Sequence, residues 1–145
     1  MNLKNLELLK DRCYIGGEWI MSPTNDVEAV TNPSTKKKIA SVPSLGGREA
    51  ELSIEVAQAA FLLWKETTAE HRSLVLRKWY DLLIENTDDL ATILTSEQGK
   101  PYAEAKGEIT YAASFVLWYS EEAKRAYGEI IPSHKTDGKI VVTKE

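Results

Sequence analysis

Few residues of this 145-residue chain could carry nucleophilic, acid–base or metal chemistry. The two histidines, His71 and His134, together with the single cysteine, Cys13, are too few for a zinc site of the usual ligand spacing. A nucleophilic cysteine needs a neighbouring base or positive charge that favours its thiolate, and the sequence offers no obvious base beside Cys13. We therefore interpret Cys13 as a buried or inert thiol, and we assign no catalytic residue and no zinc ligand.

Clustered charges have ordinary explanations. The carboxylate pairs at 88–89 and 121–122 fall on polar helix faces, where solvation accounts for them. The three lysines at 36–38 could bind an anion, or they could form the solvated edge of a hairpin that resists aggregation. The chain has no G-x-G-x-x-G, P-loop or G-x-S-x-G pattern, so the sequence identifies no cofactor-binding residue.

Composition narrows the class of protein. Hydrophobic residues make up 43% and charged residues 28% of the chain, which is typical of a globular domain. The net charge of −4 and the dispersed basic residues argue against nucleic acid or an anionic membrane as a partner. The sequence contains no apolar run of membrane-spanning length and no signal-peptide core, and a single cysteine fits a reducing compartment. We therefore expect a soluble cytoplasmic protein.

Two hairpins are predicted within residues 13–42, after a short helix at 3–10. Residues 14–20 contain two β-favouring runs around Gly16-Gly17, a pair that can adopt the positive φ angles of a tight turn. Val27–Thr31 and Ile39–Val42 form the second hairpin, because the Asn-Pro-Ser-Thr sequence between them is typical of a turn.

From Gly47 the apolar period changes from two to 3.6, which predicts helices. A capping box at 67–70 starts the second helix, Asp88-Asp89 suit the start of a third, and Gly99 followed by Pro101 ends it. The longest helix runs from about Pro101 to Tyr127, with Gly128 as its stop. The apolar residues at helical spacing are Leu52, Val56, Ala59, Ala60 and Leu63 in the first helix, the inward-pointing Val75, Trp79, Leu82 and Leu83 in the second, and Ala105, Ile109, Ala112, Val116, Tyr119 and Ala123 in the longest.

Two last strands are expected at 129–131 and 139–144, around a turn at 136–138. Composition and spacing alone therefore predict a mainly helical soluble domain with edge hairpins. A natural domain seldom ends at a strand that has used up its partner, so we expect Glu145 to be a cut.

An ordered series of motifs covers most of the chain. They are Ile15–Trp19, Thr31–Thr35, Glu97–Pro101, Ala103–Ile109, Tyr111–Phe115, Trp118, Glu121–Ala123, Arg125 and Tyr127–Pro132. In this order and spacing, from about residue 13 to 145, they resemble the N-terminal portion of the aldehyde dehydrogenase superfamily. The resemblance is closest to its succinate-semialdehyde branch.

The resemblance implies an α/β aldehyde-dehydrogenase-like fold for the full-length protein. Residues 1–128 would be the N-terminal helical part of the dinucleotide-binding domain, with the opening hairpins at 13–42. Residues 129–145 would begin the oligomerisation strands, which implies a homo-oligomer, and the rest of the enzyme would be absent. We expect the fragment alone to be mainly α-helical with short antiparallel hairpins.

The implied chemistry is oxidation of a small aldehyde by NAD or NADP. In the family a cysteine thiolate attacks the aldehyde, hydride passes to the nicotinamide, and a glutamate activates the hydrolytic water. The segments that carry these residues follow later than residue 145, so the resemblance transfers no catalytic residue. We expect the fragment to bind no cofactor and to be inactive alone.

The resemblance also points to two minor sites. Tyr111, Phe115 and Trp118 would line the aldehyde entry tunnel, although an aromatic stripe at this spacing also suits a plain core. Glu97, with the carbonyl of Val30, is a candidate for a structural monovalent-cation site, or else Glu97 is a solvated residue in the last turn of a helix.

Two other interpretations remain open. Another member of the superfamily could act on betaine aldehyde or on an unspecialised aliphatic aldehyde. Alternatively, the chain could be a self-standing helical interaction module that shares only the family's N-terminal sequence. The choice between NAD and NADP depends on residues outside this sequence.

Overall fold

Hairpins and helices occupy separate stretches of the chain. The structure is a computed structural model, and it describes residues 1–144. Two short 3₁₀ turns, Leu6–Leu8 and Ala123–Arg125, accompany the main elements. These elements are β1 Cys13–Ile15, β2 Glu18–Ile20, β3 Val27–Thr31, β4 Lys38–Pro43, α1 Gly47–Trp64, α2 Ala69–Glu85, α3 Thr87–Gln98, α4 Tyr102–Glu122, β5 Glu129–Pro132 and β6 Lys139–Val142.

Each sheet is an antiparallel hairpin of two strands that are neighbours in sequence. In β1–β2, Tyr14 lies opposite Trp19, and the turn between the strands has positive φ at Gly16 (63°) and Gly17 (89°). Both hairpins predicted within 13–42 and the one predicted after residue 128 are therefore confirmed.

A side-chain turn joins β3 to β4. The Oδ1 atom of Asn32 accepts the backbone N–H of Ser34 at 3.0 Å and that of Thr35 at 2.9 Å. Asn favours such turns because its short side chain can bond to the backbone two or three residues on. Lys36 closes the turn with a positive φ of 59°, a conformation that few residues other than glycine adopt.

Local signals set the helix boundaries. Thr68 caps α2, because its side chain accepts the backbone N–H of His71 at 3.1 Å, one residue later than the predicted capping box required. Asn86 ends α2 and also precedes α3, which ends at Gly99 in the left-handed conformation (φ 84°). The predicted stop at Gly99 is confirmed.

Helices α2, α3 and α4 pack into a bundle through small side chains. The fully buried residues of this bundle include Ala91, Ala105, Ala113 and Ser120, and Ser73 is almost as buried. Small residues at a helix contact allow the two helix axes to approach closely. The core of the described part is therefore set by side-chain size as much as by hydrophobicity.

This preference for small residues explains where the predicted inward faces are wrong. In α2, Val75, Trp79 and Leu82 are exposed, and the buried residue is Ser73. Apolar residues lie on more than one side of α2, and hydrophobicity alone does not show which side approaches α4. In α4 the buried residues are Ala105, as predicted, and Ala113 and Ser120 rather than the predicted Ala112 and Tyr119.

Two predicted helices are shorter in the structure. The helix expected at 3–10 is only the 3₁₀ turn Leu6–Leu8, because a segment this short gains too few backbone hydrogen bonds to be stable as an α-helix. The longest helix ends at Glu122, and the chain continues through the second 3₁₀ turn rather than reaching Tyr127.

Much apolar surface stays uncovered. The accessible surface is 11021 Å², whereas a self-contained chain of 16.2 kDa has about 7,500 Å². Helix α1 contributes strongly, because Phe61, Leu62 and Leu63 are exposed and α1 has no extensive packing partner within residues 1–144. Within the same residues no helix is both long enough and apolar enough to cross a bilayer.

Candidate functional site

An aromatic stripe runs along the exposed side of α4. Tyr111 is 65% exposed and Trp118 63% exposed, and the Tyr111 and Phe115 rings meet edge to face with centroids 4.9 Å apart. Phe115, Trp118 and Tyr119 line a shallow open groove together with Ser114. The stripe is therefore a ready apolar surface and does not form the core of the described part. Its assignment to an aldehyde tunnel stays a prediction.

Two glycines, Gly46 and Gly47, lie at the start of α1, a kind of position at which helices bind a dinucleotide phosphate. A phosphate would need free backbone N–H groups and a positive potential at a helix start. The N–H of Gly46 is instead donated to the Glu49 carboxylate at 2.9 Å, and Asp26 lines the same polar cavity. Two carboxylates repel an anion, so the residues at this helix start do not fit a nicotinamide dinucleotide.

The candidate cation site lies where the β3–β4 turn meets the end of α3. A Cβ added to Gly99 would lie 2.8 Å from Cγ of Pro33, so the turn presses against the segment that directly follows Glu97. The Glu97 side chain is exposed and Val30 is half-buried. Within residues 1–144 no group of three or more His, Cys, Asp or Glu residues is placed to hold a metal ion. The cation role of Glu97 and Val30 stays a prediction.

Asp88 gathers a polar cluster at the start of α3. Its Oδ1 atom lies 2.8 Å from Nζ of Lys106 and accepts the hydroxyl of Tyr102 at 3.0 Å, while Lys4 approaches Oδ2 at 3.7 Å. The Lys106 ammonium, and then the Tyr102 hydroxyl, lower the pKa of the Asp88 carboxyl by stabilising its charged form. The same contact raises the pKa of Lys106. This cluster joins α3 to α4 and to the N-terminal segment.

The neighbouring Asp89 has a different role, which sequence reasoning missed. Its carboxylate is buried and accepts the backbone N–H of Asn5 at 2.7 Å and that of Lys4 at 3.1 Å. The sequence pattern explained both aspartates by solvation and the helix dipole. No local signal marks the contact, because its partners are backbone groups more than 80 positions away.

Cys13 begins β1 and lies opposite Ile20 in the hairpin, with its thiol free and half-buried. The structure therefore places it in the opening hairpin, as the sequence predicted. Its interpretation as an inert thiol stays a prediction.

The β5–β6 hairpin projects apolar side chains on both faces. All eight of its residues are exposed, including the cross-strand pair Ile130 and Val141. Gly128 comes just before β5 and lies against the backbone of Val142 at the end of β6. A Cβ on Gly128 would overlap the carbonyl oxygen of Val142. The prediction made Gly128 a helix stop, whereas the preceding 3₁₀ turn already ends at Arg125. Gly128 instead allows this close approach of two backbone segments.

Comparison with protein families identifies the chain. Residues 19–145 match the model of the aldehyde dehydrogenase family. The chain belongs to the aldehyde dehydrogenase family. The predicted resemblance to the N-terminal portion of this family, near its succinate-semialdehyde branch, is confirmed.

Three curated relatives and one solved structure show which members it is similar to. The chain is 49% identical over its whole length to a glutarate-semialdehyde dehydrogenase of Pseudomonas putida, and 48% to a succinate semialdehyde dehydrogenase of Acinetobacter baylyi. It is 46% identical to a 3-sulfolactaldehyde dehydrogenase of Pseudomonas putida. The crystal structure of an NADP-dependent enzyme of Escherichia coli matches 98% of this chain with a TM-score of 0.94 and 44% identity. The chain spans 30% of the length of each of these proteins.

Proposed function

We propose that this chain is the N-terminal portion of an NAD(P)-dependent succinate-semialdehyde dehydrogenase, which oxidises succinate semialdehyde to succinate. The observation that carries the proposal is the high identity over the whole chain to two enzymes named for semialdehydes of dicarboxylic acids. A third relative is named for a sulfonated aldehyde. All three names describe a small aldehyde with an anionic group at its far end, which favours this substrate class over betaine aldehyde or an uncharged aliphatic aldehyde.

The α4 stripe is the proposed contribution of this chain to substrate entry. Tyr111, Phe115 and Trp118 form an exposed apolar surface in the described part, as the wall of a tunnel completed by other segments would require. Such a wall would contact the aldehyde carbon chain and exclude water, while the distal carboxylate would be bound elsewhere. The stripe is therefore a binding surface and takes no part in bond breaking.

NAD or NADP is the proposed hydride acceptor of the whole enzyme. The glycine pair at the start of α1 is not its proposed site, because it faces the carboxylates of Asp26 and Glu49. The proposal assigns dinucleotide binding, the nucleophile and the general base to segments other than residues 1–145. It also assigns residues 1–128 to the helical part of the dinucleotide-binding domain.

Residues 129–145 are proposed to begin the strands that join subunits of a homo-oligomer. The exposure of every residue of β5–β6 supports this assignment, because an isolated hairpin with two apolar faces is marginal in water. The cytoplasmic location favoured by the sequence remains a prediction.

Two measurements test the proposal. The purified 145-residue chain should give no NAD(P)H with succinate semialdehyde, and turnover above the blank that survives replacement of Cys13 would refute the assignment. A longer polypeptide that contains this chain should turn over succinate semialdehyde faster than betaine aldehyde or an uncharged aliphatic aldehyde. The opposite preference would leave the family assignment intact and would contradict succinate semialdehyde as the proposed substrate.

A matched pair of tryptophans tests the tunnel. In that longer enzyme, Trp118→Ala should raise KM for the aldehyde and leave KM for the dinucleotide unchanged. Trp79→Ala is the control, because Trp79 is comparably exposed but lies on α2. Equal effects of the two substitutions on KM for the aldehyde would contradict the tunnel assignment.

A further inference from the structure

The N-terminal segment is anchored to the helical bundle at one buried group. Asp89 is only 6% exposed, and its two carboxylate oxygens each accept a different backbone N–H, from Lys4 at 3.1 Å and from Asn5 at 2.7 Å. A buried carboxylate is strongly disfavoured unless hydrogen-bond donors compensate for the water it has lost. The two amides of the N-terminal segment supply that compensation.

The other contacts of the segment are a partly buried apolar side and one exposed ion pair. Leu3, Leu8 and Leu9 are half-buried, Leu6 is exposed, and none of residues 1–9 is fully buried. The ion pair between Lys4 and Asp88 joins two exposed side chains, 3.7 Å apart, and such pairs contribute little. The charge-assisted hydrogen bonds to Asp89 are therefore the strongest directional contacts between the segment and the bundle.

The Asp89 carboxylate attaches the N-terminal segment and does not cap its own helix. It lies in the first turn of α3, where a carboxylate commonly caps the helix or interacts with its dipole. Both of its oxygens are instead directed at a segment outside the helix, and the donors are main-chain groups. The attachment therefore depends on the path of the backbone and not on which side chains residues 4 and 5 carry.

We propose that residues 1–9 form a detachable strap, fastened to the start of α3 by the Asp89 carboxylate. Loss of this one carboxylate releases the strap and leaves the α2–α4 bundle folded. The bundle survives because its core consists of contacts between helices, such as those at Ala105, Ala113 and Ser120, which lie on α4.

Hydrogen exchange of the full 145-residue chain tests the proposal, with Asp89→Asn compared with Asp88→Asn. An asparagine at 89 turns one acceptor into a donor that faces a backbone N–H. The amides of Lys4 and Asn5 should then exchange about 10 to 100 times faster, while those of α2–α4 keep their protection. In Asp88→Asn the same two amides should change by less than about threefold. Equal acceleration in both variants, or none in Asp89→Asn, would overturn the proposal.

A truncation keeps the test decisive if Asp89→Asn lowers stability generally. The chain that lacks residues 1–5 should retain the protected amides of α2–α4. In that shortened chain, Asp89→Asn should shift the urea midpoint by much less than it does in the full chain, since the partners of the carboxylate are already gone. An equal shift in both backgrounds, or loss of protection throughout the bundle on truncation, would show that residues 1–9 are not a strap held by Asp89.

Discussion

Pro33 lies directly against Gly99, so closely that a Cβ on Gly99 would come within 2.8 Å of the proline Cγ. The contact fixes the β3–β4 turn to the connection between α3 and α4. Two demands meet at Gly99, the left-handed φ of 84° and the lack of space for a side chain.

Gly99→Ala should therefore destabilise the chain by about 1–3 kcal/mol, from the left-handed conformation and the contact together. Urea unfolding provides the measurement. Gly107→Ala is the matched control, because its added Cβ would have no neighbour within 4 Å beyond its own local helix backbone, and it occupies the interior of α4. That control should stabilise by about 0.5–1 kcal/mol. Adding Pro33→Ala to Gly99→Ala should recover part of the loss, and no recovery would contradict the contact.

Gly128→Ala should open the β5–β6 hairpin. The added Cβ would overlap the backbone carbonyl of Val142, and a backbone atom cannot rotate away as a side chain can. Amide exchange across 129–142 should become markedly faster while the helical bundle is unchanged. Gly138→Ala provides a milder comparison, because its Cβ would meet only the side chain of Ser133, at 3.4 Å. Hairpin protection retained in Gly128→Ala would contradict the close approach.

Because of Asp88, the stability of the chain should fall at acid pH. Its pKa is lowered in the folded state by Lys106 and Tyr102, so its contribution is complete above the unfolded value of about 3.9 and is lost as pH falls through the folded value. The difference in urea midpoint between wild type and Asp88→Asn should stay constant from neutral pH down to about pH 4 and shrink below it. High salt should reduce the difference throughout, since the group is exposed. A difference that grows on acidification would reverse the assigned sign.

The isolated chain should self-associate through the β5–β6 hairpin. It exposes about 3,500 Å² more surface than a self-contained chain of its mass, and a bare strand edge invites pairing. Sedimentation over a dilution series should show a dimer that Val141→Lys weakens. Leu6→Lys is the control, because Leu6 is comparably exposed but lies in the N-terminal 3₁₀ turn, far from the hairpin in sequence. A single monomeric species at high concentration would contradict the prediction.

Cys13→Ser should leave the rate of the longer enzyme near that of wild type. Cys13 lies in the first hairpin, opposite Ile20, and its half-buried thiol is an ordinary packing group there. A fall on the order of 10³-fold in kcat would mean that this thiol takes part in the chemistry. The aldehyde oxidation rate of the two proteins, measured at equal concentration, provides the comparison.

The tight turns and several helix boundaries were predictable because their causes are local. Gly16-Gly17 and Gly99 adopt positive φ angles that glycine tolerates without strain, and Thr68 caps α2 with its own hydroxyl. Each of these features depends on a few adjacent residues, so the sequence pattern contains most of the information.

Helix faces and long-range polar contacts were less predictable. Trp79 and Tyr119 were expected inside because they are large and apolar, but the bundle places Ser73 and Ser120 at its contacts instead. Side-chain size and helix approach are properties of the packed bundle, so hydrophobic spacing alone does not reveal them. The bond between Asp89 and Asn5 likewise exists only once the N-terminal segment has folded back over α3.

The pairing of every strand with its neighbour in sequence has a kinetic consequence. Closing a hairpin requires only a short loop, so the chain has little loop-closure entropy to overcome before its sheets form. The bundle differs, because α2 packs mainly against α4, across the whole of α3. An isolated hairpin forms in about 1–10 μs, so the three hairpins should form early. The strap at Asp89 closes a loop of more than eighty residues, so it carries the larger loop-closure cost.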